Sequence, residues 1–164
     1  MLVLGLDPGL ARTGYGFVRR EGNRLFALAY GTVVTPAGLC LSERLFRLHR
    51  ELGELIRTYH PEAMAVEELF FCRNAKTAIA VGQARGVALL AAAEAGLTVS
   101  EYTPLQVKQA VVGYGRAEKH QVQQMVRVLL ALPDLPRPDD AADALAGAIC
   151  HAHSHQPRRE VVWP

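Results

Sequence analysis

The chain of 164 residues is 50% hydrophobic, 21% charged and 7% aromatic, with a formal net charge of +2. That balance excludes general disorder, and the length suits one domain that buries a core without disulfides or a structural metal. Val87 to Ala93, the best apolar stretch, falls far short of the ~18–20 residues of a membrane span, and Met1 to Leu6 lacks a basic leader and stops at Asp7, so a cytoplasmic protein with no membrane partner is expected.

Leu2 to Asp7 predicts a short buried strand, stopped by Pro8-Gly9, a dipeptide suited to a tight turn. Thr13 to Arg20 and Leu25 to Val34 predict two more strands, joined through Gly22-Asn23 as a hairpin. From Leu41 the period changes. Leu41, Leu45, Leu48, Leu52, Leu55, Ile56 and Tyr59 recur at steps of three and four, one face of an amphipathic helix, with Ser42 or a neighbour as its cap and Pro61 as its stop. Ala63 to Glu67 predicts a strand, Asn74 to Ala95 a long Ala-rich helix closed by Gly96, and Thr98 to Tyr102 a fifth strand. Pro104 opens a short helix to Val111. Gly113-Tyr114-Gly115 then reads as a mobile loop, Glu118 to Leu132 as a helix, Pro133 to Pro138 as a linker and Asp139 to His153 as a last helix. Residues 155–164 have no periodicity and read as a flexible tail. A hairpin followed by alternation predicts an α/β fold, a mixed five-stranded sheet flanked by helices.

Cys40, Cys72 and Cys150 are odd in number with no Cys-x-x-Cys pair, as expected of reduced thiols. Cys150, His151, His153 and His155 are too evenly and closely spaced for a zinc site, which needs a loop between ligand pairs. The net charge alone does not announce a nucleic-acid binder. Its distribution is more informative: from Phe70 to Arg127 seven bases (Arg73, Lys76, Arg85, Lys108, Arg116, Lys119, Arg127) stand against three acids.

Four acids carry the chemistry. Asp7 ends the first strand and Glu67 the fourth, and ligands of open α/β sheets gather beyond the carboxyl ends of strands. Asp140 and Asp143 are three apart on the last helix and share a face. If that helix crosses the crevice, four carboxylates meet. They cannot all stay ionised without a cation, and a hard divalent ion, Mg²⁺ or Mn²⁺, prefers oxygen ligands and leaves room for phosphate. Two such ions about 3.5–4 Å apart suit phosphodiester hydrolysis. Asp143 stands out because it sits amid alanines and Leu145, where an unpaired charge is costly. Phe70 and Phe71 follow the Glu67 strand directly, where an apolar wedge would unstack a base step. Lys108 and Lys119 flank the glycine loop and are suited to phosphates, Lys119 also to charge developing on a transferred phosphoryl group.

At these residues the sequence resembles the RuvC family of Holliday junction resolvases. The matching stretches are Gly5-Leu-Asp-Pro-Gly9, Thr13-Gly-Tyr-Gly16, Ala65-Val-Glu-Glu-Leu-Phe70, Gly82-Gln-Ala-Arg-Gly86, Gln106-Val-Lys-Gln109, Ala117-Glu-Lys119 and Asp140-Ala-Ala-Asp-Ala-Leu-Ala146. The resemblance implies an RNase H-like nuclease domain over residues 1–154. It implies catalytic and metal-ligating acids at Asp7, Glu67, Asp140 and Asp143, a catalytic and DNA-contacting Lys119, and DNA contacts at Phe70 and Lys108. Arg73, Lys76 and Arg116 are further DNA-binding candidates. Glu68 and Asp139 depart from the pattern by adding an acid beside a motif acid; strand alternation and the three-residue spacing favour Glu67 and Asp140. The implied activity is metal-dependent paired nicking of four-way DNA junctions in recombination and repair. It uses Mg²⁺, two ions per site with Mn²⁺ as substitute, and leaves 5′-phosphate ends with a preference for a short thymine-containing sequence. The implied partners are junction DNA, a second copy in a homodimer and a branch-migration complex of the RuvA and RuvB type. The helices at 41–59 and 74–95 are the candidate dimer faces. A junction-binding module without cleavage, and a sugar-kinase-like phosphotransferase, are the alternatives; the four acids argue against the first, the lack of a Walker A loop against the second.

Overall fold

Alternation along the first strand divides the molecule into two layers. In the computed structural model, which describes residues 1–68 and 75–154, β1 (Leu2–Asp7) turns Leu2, Leu4 and Leu6 into one hydrophobic cluster and Val3 into the other. β2 (Arg12–Glu21) pairs antiparallel with β1 and with β3 (Arg24–Val34), and the connection at Gly22 has the positive φ of 60° that a two-residue hairpin turn requires. β4 (Ala63–Glu67) runs parallel to β1, and β5 (Thr98–Tyr102) parallel to β4, giving the order β3-β2-β1-β4-β5.

Two helices cover the first face. α1 (Leu41–Tyr59) buries Leu48, Leu52 and Ile56 against β1 and β2, and Phe17 stacks on Tyr59 at a centroid distance of 4.4 Å. Its cap is Cys40 rather than Ser42: the Cys40 N–H donates to the Glu43 carboxylate at 3.0 Å, satisfying one orphan donor of the first turn. Leu41, expected on the apolar stripe, is exposed, because the first turn runs past the edge of the core. α2 (Ala75–Glu94) buries Ala84, Ala88, Ala91 and Ala92, and their small side chains admit the helix close to the sheet. Gly96 follows it with φ +67°, as the expected stop requires.

The other face carries α3 (Pro104–Val112), α4 (Lys119–Leu129) and α5 (Asp139–His153). α5 is the keystone of this layer, with Ala141, Ala142, Ala144, Leu145, Ala146, Ala148, Ile149, Cys150 and Ala152 all buried. It lies directly on glycines of the sheet. A Cβ at Gly5 would come within 1.9 Å of the Ala144 carbonyl oxygen, and one at Gly14 within 2.0 Å of that of Asp140. The Arg20 guanidinium donates to the Ala152 carbonyl near the far end of the helix.

Several boundaries differ from the sequence expectation. α4 stops at Leu129 rather than Leu132, since Ala131 turns to φ 50° and the Leu132 N–H bonds back to Arg127 O at 2.9 Å. The loop at Gly113 to Gly115 is tied to α3. Gly113 caps that helix at φ 92°, and a Cβ at Gly115 would lie 2.0 Å from Leu105 Cδ1. The N-cap of α5 is Pro138, leaving Asp139 and Asp140 in the first turn, where negative charge suits the helix dipole. Asn74, the expected start of the long helix, lies outside the described residues, as does the tail at 155–164.

Candidate active site

Asp7 and Glu67 owe their meeting to register. β1 and β4 pair in parallel with Gly5 beside Ala65 and Leu6 beside Val66, so the next step sets Asp7 beside Glu67 at the carboxyl ends of both strands. Both fall on the face that α5 covers, the face of Val3 and Ala65. Close seating of α5 on Gly5 and Gly14 then carries Asp140 and Asp143 to the same end of the sheet. Only glycine permits that approach.

A cavity of about 300 Å³ opens there, lined by Asp7, Glu67, Asp143, Lys108 and Lys119. Leu6, Val66, Tyr102, Val107 and Val122 form its apolar wall. α3 presents Lys108: Thr103 caps the helix, accepting the Gln106 N–H at 3.1 Å while the Gln106 amide oxygen accepts the Thr103 N–H at 2.9 Å, with Pro104 in the first turn. Lys119 begins α4, whose entry is fixed by the Glu118 N–H donating to Gln121 at 2.8 Å. The Lys119 ammonium reaches Asp143 at 2.8 Å and the exposed Asp139 at 3.6 Å.

The electrostatics of the cavity are those of crowded acids behind an apolar wall. Burial, then the charges of Asp143, Glu67 and Asp140, push Asp7 up to about 7, against the opposing pull of Lys119. Glu67 is raised by burial and by Asp143, with Lys119 and Lys108 opposing. Burial holds Asp143 above the ordinary aspartate range despite its bond to Lys119. For Lys119, burial works against the charged form, but the bond to Asp143 and the charges of Asp143 and Asp139 outweigh it and raise the ammonium.

Convergence is partial compared with the tight four-acid cluster expected. Three of the four acids line the cavity. Asp140 stands beside it, held by Arg12 at 3.5 Å. Among the described residues no three His, Cys, Asp or Glu side chains are already gathered around one point that would cage an ion. The physical reason is visible in the pairs: Lys119 draws Asp143 and Arg12 draws Asp140, each cation relieving part of the repulsion.

Glu68 is exposed and its N–H donates to Tyr102 O at 2.9 Å, away from the cavity lining. Lys76 and Arg116 are exposed and do not line the cavity. Phe70, Arg73 and Cys72 lie outside the described residues. In the Cys-His run, Cys150 is buried, His151 Nδ1 meets the Tyr102 hydroxyl at 2.9 Å and His153 Nδ1 meets Ala110 O at 3.1 Å, each turned to its own partner, while His155 is not among the described residues.

Sequence reasoning missed Arg12 and Tyr102. Tyr102 had a readable signal, since it ends β5 in register with Glu67. Arg12 had none, because its role depends on where α5 crosses β2. A third missed feature is the Arg85–Glu101 pair, 2.6 Å long and largely shielded, which ties α2 to β5 one residue before Tyr102.

Residues 3–151 match the family described as crossover junction endodeoxyribonuclease RuvC. The chain belongs to the RuvC family. It is 66% identical to the crossover junction endodeoxyribonuclease RuvC of Heliobacterium modesticaldum over 154 residues, 94% of this chain and 95% of that one. It is 62% identical to that of Syntrophomonas wolfei, covering 95% of this chain and 91% of the relative. The solved RuvC of Thermus thermophilus in complex with Holliday junction substrate superposes with a TM-score of 0.90 at 43% identity, covering 94% of each chain. The yeast mitochondrial Holliday junction resolvase, at 12% identity and a TM-score of 0.62 over 90% of this chain and 77% of that one, shares the fold. The mixed five-stranded sheet flanked by helices is thus the RNase H-like arrangement expected of the RuvC family.

Proposed function

We propose that this chain is a metal-dependent, structure-specific endodeoxyribonuclease that resolves four-way DNA junctions by paired nicks in homologous recombination and repair. The observation that carries this reading is the meeting of Asp7, Glu67 and Asp143 with Lys108 and Lys119 around one cavity, in a chain whose relatives are named crossover junction endodeoxyribonucleases. A binding module that has lost cleavage would have no use for buried acids that repel one another.

The donor set fits a hard divalent cation: oxygen ligands only, mutually repelling, with three held above the ordinary carboxylate range. Asp7, Glu67, Asp140 and Asp143 would hold Mg²⁺, two ions per site, with Mn²⁺ as a substitute. The bound ions supply charge that acidifies the attacking water and neutralises the oxygens of the scissile phosphate. Holding an ion would draw Asp143 away from Lys119 and Asp140 away from Arg12. The Lys119 ammonium, in the cavity lining beside Asp143, would stabilise the negative charge that grows as the bond to the 3′ oxygen breaks. Lys108, also in the cavity lining, holds a phosphate in place. The products carry 5′-phosphate and 3′-hydroxyl ends. Phe70, three residues after Glu67, serves as the wedge that opens the junction, with Arg73, Lys76 and Arg116 as further backbone contacts.

A two-fold junction needs two related cuts, and a homodimer supplies them. Phe46 on α1, with Ile79 and Leu90 on α2, are 67%, 62% and 53% exposed, which supports an interface in the layer opposite α5. Among the described residues no helix is long and apolar enough to cross a membrane; we place the enzyme in the cytoplasm, loaded by a branch-migration complex of the RuvA and RuvB type. The test is cleavage of a synthetic four-way junction with Mg²⁺. Asp7→Asn abolishes cutting while junction affinity stays within a few-fold, because it removes a metal ligand and not a phosphate contact. Undiminished cutting by that variant refutes the assignment.

A further inference from the structure

A second basic site lies on the same sheet face as the acids, on the side of α5 toward the β3 edge. Tyr30 of β3, Gln124 and Arg127 of α4, and Asp134, Leu135 and Arg137 of the following connection line a groove of about 710 Å³. Tyr30 pairs with Gly16, whose outer surface meets Leu145 of α5, so its ring projects on the α5 side. Neither Arg127 nor Arg137 has an ion-pair partner among the described residues, and the Arg127 Nε is enclosed with no hydrogen-bond acceptor. The charge of such a guanidinium goes uncompensated within the fold, and an anion in the groove would offset it. With one carboxylate against two guanidiniums, a phenol and an amide, the groove has the donor-rich character of an oxyanion site.

We infer that this groove binds a backbone phosphate of a DNA arm outside the cleavage cavity, through Arg127 and Arg137 with Tyr30 and Gln124 as neutral donors. The inference rests on the junction-nuclease reading and extends the footprint of that interface. Continuity with the proposed cleavage site favours DNA over an acidic peptide. The groove continues toward the acids along one strand pair: Tyr30 faces Gly16, and four ladder steps on, Val34 faces Arg12, the half-exposed cation beside Asp140. The groove and Arg12 therefore lie along one strand pair that leads to the end of the sheet where the acids gather.

The test is the salt dependence of binding of the full chain to a synthetic four-way junction without divalent metal, for the wild type, Arg137→Gln and Arg127→Gln/Arg137→Gln. Each lost phosphate contact lowers the slope of log K against log salt by roughly 0.9. Because a dimer loses each contact twice, the proposal expects a drop of about two for the single variant and about four for the double, with affinity at low salt reduced several-fold. Arg137 is exposed, so its variant keeps the fold, and a melting curve controls for Arg127. Wild-type binding with unchanged slopes in both variants overturns this inference and leaves the nuclease reading standing. Slopes that stay unchanged while an acidic peptide binds the wild type and not the double variant assign the groove to a protein partner instead. Failure of the wild type to bind or cut the junction overturns both.

Discussion

Asp7 concentrates the chemistry of the site in one titration. Its carboxyl is held at about 7 against an ordinary 3.8, chiefly by burial and then by its acidic neighbours. Between those two values the folded chain carries a proton that the unfolded chain has released, so this group's contribution to stability is full below about pH 4 and is lost as pH rises through 7. Asp7→Asn should therefore melt higher than the wild type at pH 8 without metal, with the difference vanishing near pH 4. Thermal melts across pH check this, and a pH-independent difference would contradict it. Divalent metal should reverse the ranking at pH 8, because only the wild type gains full binding energy from the ion. Lys119 acts in the opposite sense. Lys119→Ala should slow cutting by about 10²–10³-fold, the usual loss when one stabilising donor at a transition state is removed, while junction binding weakens only modestly. Single-turnover rates beside binding isotherms separate the two effects. The four acids were legible in the sequence as strand ends and as a helix spacing, but their cationic partners were less so. Asp143 with Lys119 joins residues 24 apart, and Asp140 with Arg12 joins the two ends of the chain. Neither pairing follows from local pattern.

At the scale of elements, the seating of α5 on β1 and β2 controls whether the acids meet at all. Gly14→Ala would drive a Cβ to 2.0 Å from the Asp140 carbonyl oxygen, a backbone atom that cannot rotate away. We expect a loss of about 3 kcal/mol, at the upper end of overpacking penalties, together with loss of cleavage, since any relief displaces Asp140. Denaturant melts and junction cutting check both; an active variant of wild-type stability would contradict the packing argument. The elements themselves were largely readable. Strand alternation in β1 and the spacing of Leu48, Leu52 and Ile56 are one-dimensional signals of which face is buried. Legibility failed where tertiary contacts decide. Leu41 obeys the stripe yet is exposed because the core ends before it, and α4 stops three residues early where Ala131 enters the left-handed region. The three glycines Gly5, Gly14 and Gly16 were visible as motif letters, but their reason, the underside of α5, was not.

For the whole molecule, the proposed paired cutting rests on a homodimer, which two substitutions on α2 test. Leu90→Asp and Ile79→Asp place charge on exposed apolar positions of α2, where a lone chain tolerates it and a dimer interface does not. They should shift the chain to monomer by light scattering and convert paired cuts to single nicks; a dimer that persists in both variants would contradict the assignment of that face. The mixed sheet flanked by helices followed from the pattern of a hairpin and then alternating strands and helices, whereas the parallel pairing of β1 with β4 and the face taken by each helix came from the structure. The cationic partners of the acids did not follow from that pattern: Lys119 pairs with Asp143 and Arg12 with Asp140. On the proposed reading, these acids bind divalent metal for phosphodiester cleavage. The measurement that tests this most directly is strand scission of a synthetic four-way junction, both continuous strands labelled, across a series of Mg²⁺ and Mn²⁺ concentrations. Symmetric nicks in both strands that depend on metal and carry 5′-phosphates are predicted. Tight junction binding with intact strands at every metal concentration would contradict it.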